Sequence, residues 1–222
     1  MKKGQAIEEI YKKIKEMMYS NELAPGQKLI YQQLAQKLNV SITPVIQALN
    51  RLKDSNLVEC IPNKGYLVRE ITEKEVIELY EVRAALETSL VPAIIQNINS
   101  QNLKEIGEYF RQYNTKPQNY RLLIIKDAQF HLRIAELSNN SVTCKILSGV
   151  LEEICIKYRP DYMGRERIGQ AVQEHRKILK ALKKGDRDEA ITAILDHTQR
   201  GKLHVLDSLK RNKAVSFFED FL

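Results

Sequence analysis

Four residues in the C-terminal two-thirds of the chain are of the types that bind transition metals. Asp127 and His131 lie four residues apart in KDAQFHLRIAEL, so on a helix they share one face. His175 lies in QEHRKILKAL and His197 in AILDHTQRGKL, which are later helical segments. One carboxylate and three imidazoles from separate helices of a bundle can converge in its core as an N3O site for a divalent transition metal. An Asp and a His four residues apart are also common on solvated helices, so this pair alone is weak.

The segments that must position these residues are all predicted to be helical. Thr72 and Glu75 form a capping-box pattern that opens the first helix of residues 71–222. Breaks with turn-forming residues then divide the remainder, and no segment has a strand pattern. Residues 71–222 are therefore predicted to form an all-α bundle of six helices. The first helix begins at Glu73, and the other five span roughly 101–113, 118–138, 141–159, 166–184 and 187–211.

Residues 1–70 have a different pattern. IEEIYKKIKEMMYS has apolar residues at helical spacing, and Pro25-Gly26 follows it as a turn. Two short helices come next, in IYQQLAQKL and ITPVIQALNRLKDS, with Ser41 at the N-cap of the second. LVECI and YLVREI then predict a β-hairpin with Gly65 near its tip. This order predicts a winged helix-turn-helix, and the whole chain is predicted to be mainly α with two domains, 1–70 and 71–222.

Charge and composition narrow the class of protein. The chain has 222 residues and a net charge of +7, and residues 1–70 carry 11 basic against 7 acidic side chains. A small basic domain favours a polyanionic partner, although solubility alone would also explain this charge. The longest apolar runs are too short to span a bilayer, and no signal peptide is visible. Three cysteines without CxxC spacing favour a reducing cytoplasm.

The N-terminal motifs resemble the DNA-binding domain of the GntR family of bacterial transcription regulators. The resemblance rests on LAPGQKLIYQQLAQKLNVSITPVIQALNRLKDSNLVECIPNKGYLV, including Thr43-Pro44-Val45 and the wing glycine Gly65. It implies a third helix that enters the major groove by its N-terminal end and a wing that brings Lys64 to a phosphate. Thr43 could donate to a phosphate or support the start of the helix, and Lys64 could also be a solvated turn residue. The residues that we expect at the DNA are Gln32, Ile42, Thr43, Ile46, Gln47, Lys64 and Gly65.

This chain departs from the family at the residues that read bases. The usual motif has Arg at the positions of Ile42 and Ile46, commonly an acid at that of Gln47, and often a basic or polar reader at that of Gln32. Arg pairs with guanine, whereas Gln suits adenine and Ile can contact a thymine methyl group. We therefore expect a palindromic, A·T-rich operator. The alternative is that Ile42 and Ile46 bind a protein partner.

The C-terminal motifs resemble the ligand-binding domain of the FadR branch of the GntR family. The resemblance rests on DAQFHLRIAELSNN, EHRKILKALKKGDRDEA and LDHT. In the metal-binding members one Asp and three His hold the ion, and these match Asp127, His131, His175 and His197. The metal would be Zn, Ni, Mn or Fe, and six helices indicate the shorter VanR-like subgroup of this FCD type of domain.

Two further residues are carried over from the same resemblance. Arg83 matches an Arg that faces the pocket, and its planar fork suits the carboxylate of a small organic acid. The alternative is an intrahelical pair with Glu87, four residues later. Asn140 matches the Asn that follows the Asp-x3-His helix, where it is expected to cap the next helix.

Three hypotheses follow from the sequence. The first is a ligand-responsive transcription regulator, a cytoplasmic homodimer on a two-fold symmetric operator and, by resemblance, a repressor. The second is a metalloenzyme in which the ion activates water, although the sequence offers no separate base. The third is a regulator that acts through a protein partner without specific DNA reading. We predict the first, and we expect no catalytic residues.

Overall fold

The computed structural model of the chain describes residues 3–62, 65–113 and 120–219. Its backbone separates into two compact units. The first comprises Met1–Ile71 together with Cys155–Arg159, and the second comprises Thr72–Ile154 and Pro160–Leu222. Within the described residues, no helix is both long enough and apolar enough to cross a membrane.

The first unit contains three helices and a small antiparallel sheet. Its elements are α1 (Lys3–Tyr19), β1 (Lys28–Leu29), α2 (Tyr31–Leu38), α3 (Ile42–Asp54), β2 (Val58–Ile61) and β3 (Gly65–Val68). The strand order is β1-β3-β2, with Val58 opposite Val68 and Ile61 opposite Gly65. The predicted winged helix-turn-helix is confirmed. The two-residue strand β1 was not predicted, because it is too short to show any periodicity.

Apolar side chains from all three helices and the sheet form the core of this unit. Val45, Ala48, Leu49 and Leu52 of α3 are fully buried, as the helical spacing predicts. Ser41 is the N-cap of α3 in extended conformation, without a side-chain cap bond. Tyr66 of β3 donates a 2.8 Å hydrogen bond to Asn50 Oδ1 of α3, which fixes the wing against that helix.

The second unit contains α4 (Glu73–Asn97), α5 (Ser100–Tyr113), α6 (Tyr120–Glu136), α7 (Ser141–Lys157), a 3-10 turn (Pro160–Tyr162), α8 (Arg165–Lys184) and α9 (Arg187–Glu219). Thr72 and Glu75 form the predicted capping box of α4. Asn140 Oδ1 accepts a 3.0 Å bond from the Thr143 N–H at the start of α7, so its predicted capping role is confirmed. The last turn of α7 clusters with the first unit, which the local pattern did not predict.

Helix α9 packs most extensively against α4 and α8. The approach to α4 is close at Gly201, where an added Cβ would lie 2.9 Å from Tyr80 Cε1. One turn away on the same faces are His197 of α9 and Arg83 of α4. The missing side chain at position 201 therefore allows the two helices to bring these polar groups together.

Candidate metal centre and nucleic-acid interface

Three helices bring the four predicted metal ligands to one point in the second unit. Asp127 and His131 come from one face of α6, His175 from α8 and His197 from α9. One donor atom from each lies within 4.8 Å of the donor atoms of the other three. His175 Nε2 is 3.2 Å from Asp127 Oδ1 and 3.2 Å from His131 Nε2. Ligands bound about 2.0–2.1 Å from one ion are themselves about 3–4 Å apart, so the cluster fits a transition metal.

The cluster is enclosed by apolar and aromatic packing. The three histidines are at most 3% exposed, while Asp127 is half-buried. Phe130 packs on the His175 ring with centroids 4.2 Å apart, and the His131 and His197 rings stack at 4.7 Å. Such packing restricts the rotamers of the imidazoles, so the donor atoms are held in place by neighbours as well as by the helices.

Two glutamates hold two of the three imidazoles from behind. His131 Nδ1 lies 2.8 Å from Glu87 Oε2, and His197 Nδ1 lies 2.9 Å from Glu174 Oε2. A carboxylate accepts but does not donate, so Nδ1–H is the donor in each pair and Nε2 keeps its lone pair. Glu174 was not identified from the sequence, although it directly precedes His175. Glu87 was identified only as a possible partner of Arg83.

Arg83 lies at the inner edge of the cluster, where it forms the pair with Glu87 and also faces the donor atoms of the candidate site. Its Nε donates a 2.6 Å bond to Glu87 Oε1, which is the intrahelical pair. Its Nη2 lies 3.3 Å from His197 Nε2 and 3.8 Å from Asp127 Oδ2. The guanidinium therefore uses one nitrogen for Glu87 while another faces the donor atoms of the candidate site.

The electrostatics of the cluster favour metal ligation. Burial lowers the pKa of His197 to about 3 and also lowers that of His175, so both rings are neutral near pH 7. Burial raises the pKa of Asp127, but the hydrogen bond from His175 is the largest of the opposing effects, which together leave the pKa well below its usual value. Neutral imidazoles and an ionised carboxylate are the forms that bind metal ions.

The pKa of each glutamate behind the cluster is also lowered. Burial raises the pKa of Glu87, yet His131 and Arg83 outweigh this effect. Burial likewise raises that of Glu174, and the bonds from His197 and Arg167 outweigh it. Both side chains are therefore carboxylates at neutral pH, which is the form that accepts Nδ1–H most strongly.

The residues predicted to contact DNA lie on the first unit. Ile42 and Thr43 are exposed at the first turn of α3, Ile46 and Gln47 are half-buried one turn later, and Gln32 is exposed on α2. Ile42, with 42% of its surface exposed, is a large apolar side chain at the helix end that is predicted to face bases. Lys64 lies outside the described residues.

Three of these residues line one open groove of about 470 Å³: Gln32, Ile46 and Gly65. Lys28, Tyr31 and Tyr66 also line this groove. Gly65 has φ of +94°, and a Cβ there would lie 3.0 Å from the Leu29 carbonyl oxygen, so the wing requires glycine at this position. Ile42, Thr43 and Gln47 do not line the groove.

Comparison with known proteins decides the family. Residues 78–200 match the FCD domain, and residues 6–68 match the bacterial regulatory proteins of the gntR family. The chain belongs to the GntR family and carries an FCD domain. This GntR chain is a DNA-binding transcription regulator with an FCD effector-binding domain, and its relatives are regulators rather than enzymes. FCD domains often bind metal, in keeping with the cluster of Asp127 and three histidines.

Relatives cover nearly the whole GntR chain. It is 25% identical over 211 residues to the uncharacterized HTH-type transcriptional regulator YdhC of Bacillus subtilis (strain 168), covering 92% of this chain and 94% of that relative. It is 28% identical over 195 residues to the Nta operon transcriptional regulator of Aminobacter aminovorans, covering 87% and 91%. The solved structure of E. coli McbR/YncC matches with a TM-score of 0.80 and 22% identity over 92% of this chain and 98% of that one, which supports the fold.

Proposed function

We propose that this GntR regulator binds one divalent transition metal through Asp127, His131, His175 and His197. The observation that carries the proposal is the convergence of four donor atoms within 4.8 Å, with two Nδ1 atoms already engaged by carboxylates. The N3O donor set suits Zn, Ni, Mn or Fe. His204, one further histidine of α9, is not part of the cluster and offers a matched control.

The effector that fits this site is a small organic acid. A divalent ion bound by the cluster would place positive charge beside the Arg83 guanidinium, and an organic carboxylate would bring negative charge to both. The carboxylate would bind the ion and accept a bond from Arg83, whose Nη2 faces the donor atoms.

The DNA-reading half of the proposal rests on the first unit. We infer that a homodimer places two copies of α3 in successive major grooves of a palindrome and that the wing residues Lys64 and Gly65 lie against the backbone. The side chains Gln32, Thr43 and Gln47 offer hydrogen bonds, while Ile42 and Ile46 offer methyl contacts, so A·T-rich half-sites are favoured. Effector binding would shift the DNA affinity as a coupling between two sites, with repression as the proposed output.

The remaining assignments are those of the resemblance. They are the FadR branch and the VanR-like subgroup with six helices in its effector domain; the cytoplasmic location is proposed from the three cysteines without CxxC spacing. Six α-helices in the described part of residues 72–222 are in keeping with that subgroup. The alternative in which Ile42 and Ile46 bind a protein partner would leave the regulator without sequence preference on DNA.

The experiment that tests the proposal is metal analysis of the full chain, as purified and after reloading with Zn, Ni, Mn or Fe. We expect up to one ion per chain, and a carboxylate effector that binds the loaded chain but not the chain stripped by chelator. Absence of metal before and after reloading would reject the site.

A further inference from the structure

Two buried series of hydrogen-bonded side chains, each made of one Arg, one Glu and one His, end at the candidate metal site. In the first, Arg83 Nε donates to Glu87 Oε1 at 2.6 Å, and His131 Nδ1 donates to Glu87 Oε2 at 2.8 Å. In the second, both terminal nitrogens of Arg167 donate to Glu174 at 2.9 and 3.1 Å, and His197 Nδ1 donates to Glu174 Oε2 at 2.9 Å. All six residues are at most 8% exposed.

The order Arg–Glu–His gives each member a separate task. A carboxylate that accepts Nδ1–H fixes the ring orientation and the tautomer, and it makes Nε2 a stronger ligand. A buried carboxylate is costly unless it is paired, and the guanidinium supplies that pairing with good geometry. Arg167 grips both oxygens of Glu174, so the glutamate cannot rotate away from His197.

The spacing of the Arg and Glu residues along their helices explains how the two hydrogen-bonded series can form. Arg83 and Glu87 are four residues apart on α4, whereas Arg167 and Glu174 are seven apart on α8, and either spacing places both residues on one helical face. Glu174 and His175 are neighbours in the sequence, and yet they have different partners on different helices. Glu174 bonds to His197 of α9, while His175 meets Asp127 of α6.

We infer that Glu87 and Glu174 are positioning residues of the metal site, which hold His131 and His197 with Nε2 directed at the ion, and that Arg167 locks Glu174 for this task. The inference rests on the proposed function, since it presumes a metal between these histidines. It goes beyond the ligand set, because Glu87, Glu174 and Arg167 are not among the four proposed ligands.

A purely structural ion pair would predict something different. Breaking a buried pair by removing one partner destabilises a fold, whereas removing both charges together is often nearly neutral. A positioning role predicts that metal affinity stays weak in either case, because His197 loses its charged carboxylate acceptor in both. The two roles are therefore separable by comparing a single variant with a charge-neutral double variant.

The experiment uses Co²⁺ as the probe on the full chain, with affinity measured by chelator competition and the ligand field followed by the visible spectrum. Glu87→Gln and Glu174→Gln are each expected to weaken Co²⁺ binding about 10–100-fold and to alter the spectrum. Glu81→Gln on α4 and Glu166→Gln on α8 remove exposed carboxylates from the same helices and should leave both readouts unchanged.

The double variant Arg167→Gln/Glu174→Gln completes the test and also serves if Glu174→Gln does not fold. Its metal-free melting temperature is expected to lie closer to that of the wild type than the melting temperature of Glu174→Gln, while its Co²⁺ affinity remains about 10–100-fold weakened. Wild-type Co²⁺ affinity in the double variant would overturn the positioning role of Glu174, and wild-type affinity in Glu87→Gln would do so for Glu87. If the wild type itself binds no Co²⁺, Zn²⁺, Ni²⁺, Mn²⁺ or Fe²⁺, the proposed metal site fails and the inference fails with it.

Discussion

The two candidate sites of this regulator are built on opposite physical terms. The metal centre is buried and polar, and its ionisable side chains are engaged by one another through short bonds such as Arg83 to Glu87 and His197 to Glu174. The DNA interface is exposed and carries large apolar side chains, above all Ile42 at 42% exposure. In a buried site neighbouring side chains hold the ligand atoms in position before the ion binds. The side chains of an exposed face gain their contacts only when the other molecule binds. Because of this difference, a single substitution should cause a large loss of binding at the metal site, whereas substitutions at the DNA interface should each change binding by a smaller amount.

The largest expected effect is the loss of a metal ligand. His175→Ala removes a donor atom that lies 3.2 Å from both Asp127 Oδ1 and His131 Nε2. We expect metal affinity to fall by more than about 100-fold, since a ligand matters more than the outer residues that tune it. Chelator competition measures this, with His204→Ala as the control. Metal held equally well by His175→Ala would show that the buried cluster is not the site.

The next effect concerns the exposed face. Restoring the family arginines in Ile42→Arg/Ile46→Arg should move the operator preference toward G·C pairs. Each bidentate contact to guanine contributes about 1–3 kcal/mol of discrimination, so two such contacts matter greatly. Selection from a random DNA pool at low salt compares the variant with the wild type, which should select A·T-rich palindromes.

The same selection can contradict the account of the exposed face in two ways. A G·C-rich consensus for the wild type would refute base reading by glutamine and isoleucine. No enrichment at all would favour a protein partner at Ile42 and Ile46. Binding by the wild type should also weaken steeply with added salt, because phosphate contacts would carry most of the affinity.

A smaller effect is expected at Arg83. Arg83→Lys keeps the positive charge but loses the planar fork that reaches Glu87 and the donor atoms at once. Affinity for the carboxylate effector should fall by about 1–3 kcal/mol in titration calorimetry. Arg133→Lys, an exposed position on α6, is the control. If the affinity for the effector is unchanged, Arg83 does not contact the effector and only pairs with Glu87.

The smallest expected effect, counted per pH unit, is the change in the free energy of unfolding of the metal-free protein. Burial lowers the pKa of His175 and takes that of His197 to about 3, whereas histidines of the unfolded chain titrate near 6.5. Below about pH 6.5 the unfolded state therefore binds protons that the folded state does not. The free energy of unfolding should fall as pH drops from 6.5 toward 3, by up to about 1.4 kcal/mol per pH unit for each histidine.

Denaturant titrations at several pH values check this prediction. In the variant His197→Gln the free energy of unfolding should change less steeply with pH, because about one proton fewer is taken up on unfolding. A dependence on pH as steep as that of the wild type would contradict the burial argument. The carboxylates with lowered pKa, such as Glu87, add their own loss only below about pH 4.5. Between about pH 6.5 and 4.5 the loss of stability therefore reports the histidines alone, and below that range the acids add to it.

Local sequence determined much of this protein. Helical spacing placed Val45, Ala48, Leu49 and Leu52 in the core of the first unit, and the capping residues Thr72 and Asn140 mark the helix starts that the structure has. Residue type also singled out Asp127 and the three histidines, because carboxylate and imidazole are the side chains that bind such ions. These signals are local, since periodicity, capping and ligand chemistry are properties of a short segment.

Only the tertiary structure decided which groups meet. Arg167 and Glu174 look like ordinary charged residues of an amphipathic helix, and nothing local assigns Glu174 to His197, 23 residues away. That pairing depends on how closely α8 and α9 pack, just as the contact of Arg83 with His197 depends on the approach of α9 to α4 at Gly201. The strand β1 similarly exists only because β3 pairs with it. Contacts between helices are set by packing across the whole fold, so a segment read by itself does not contain them.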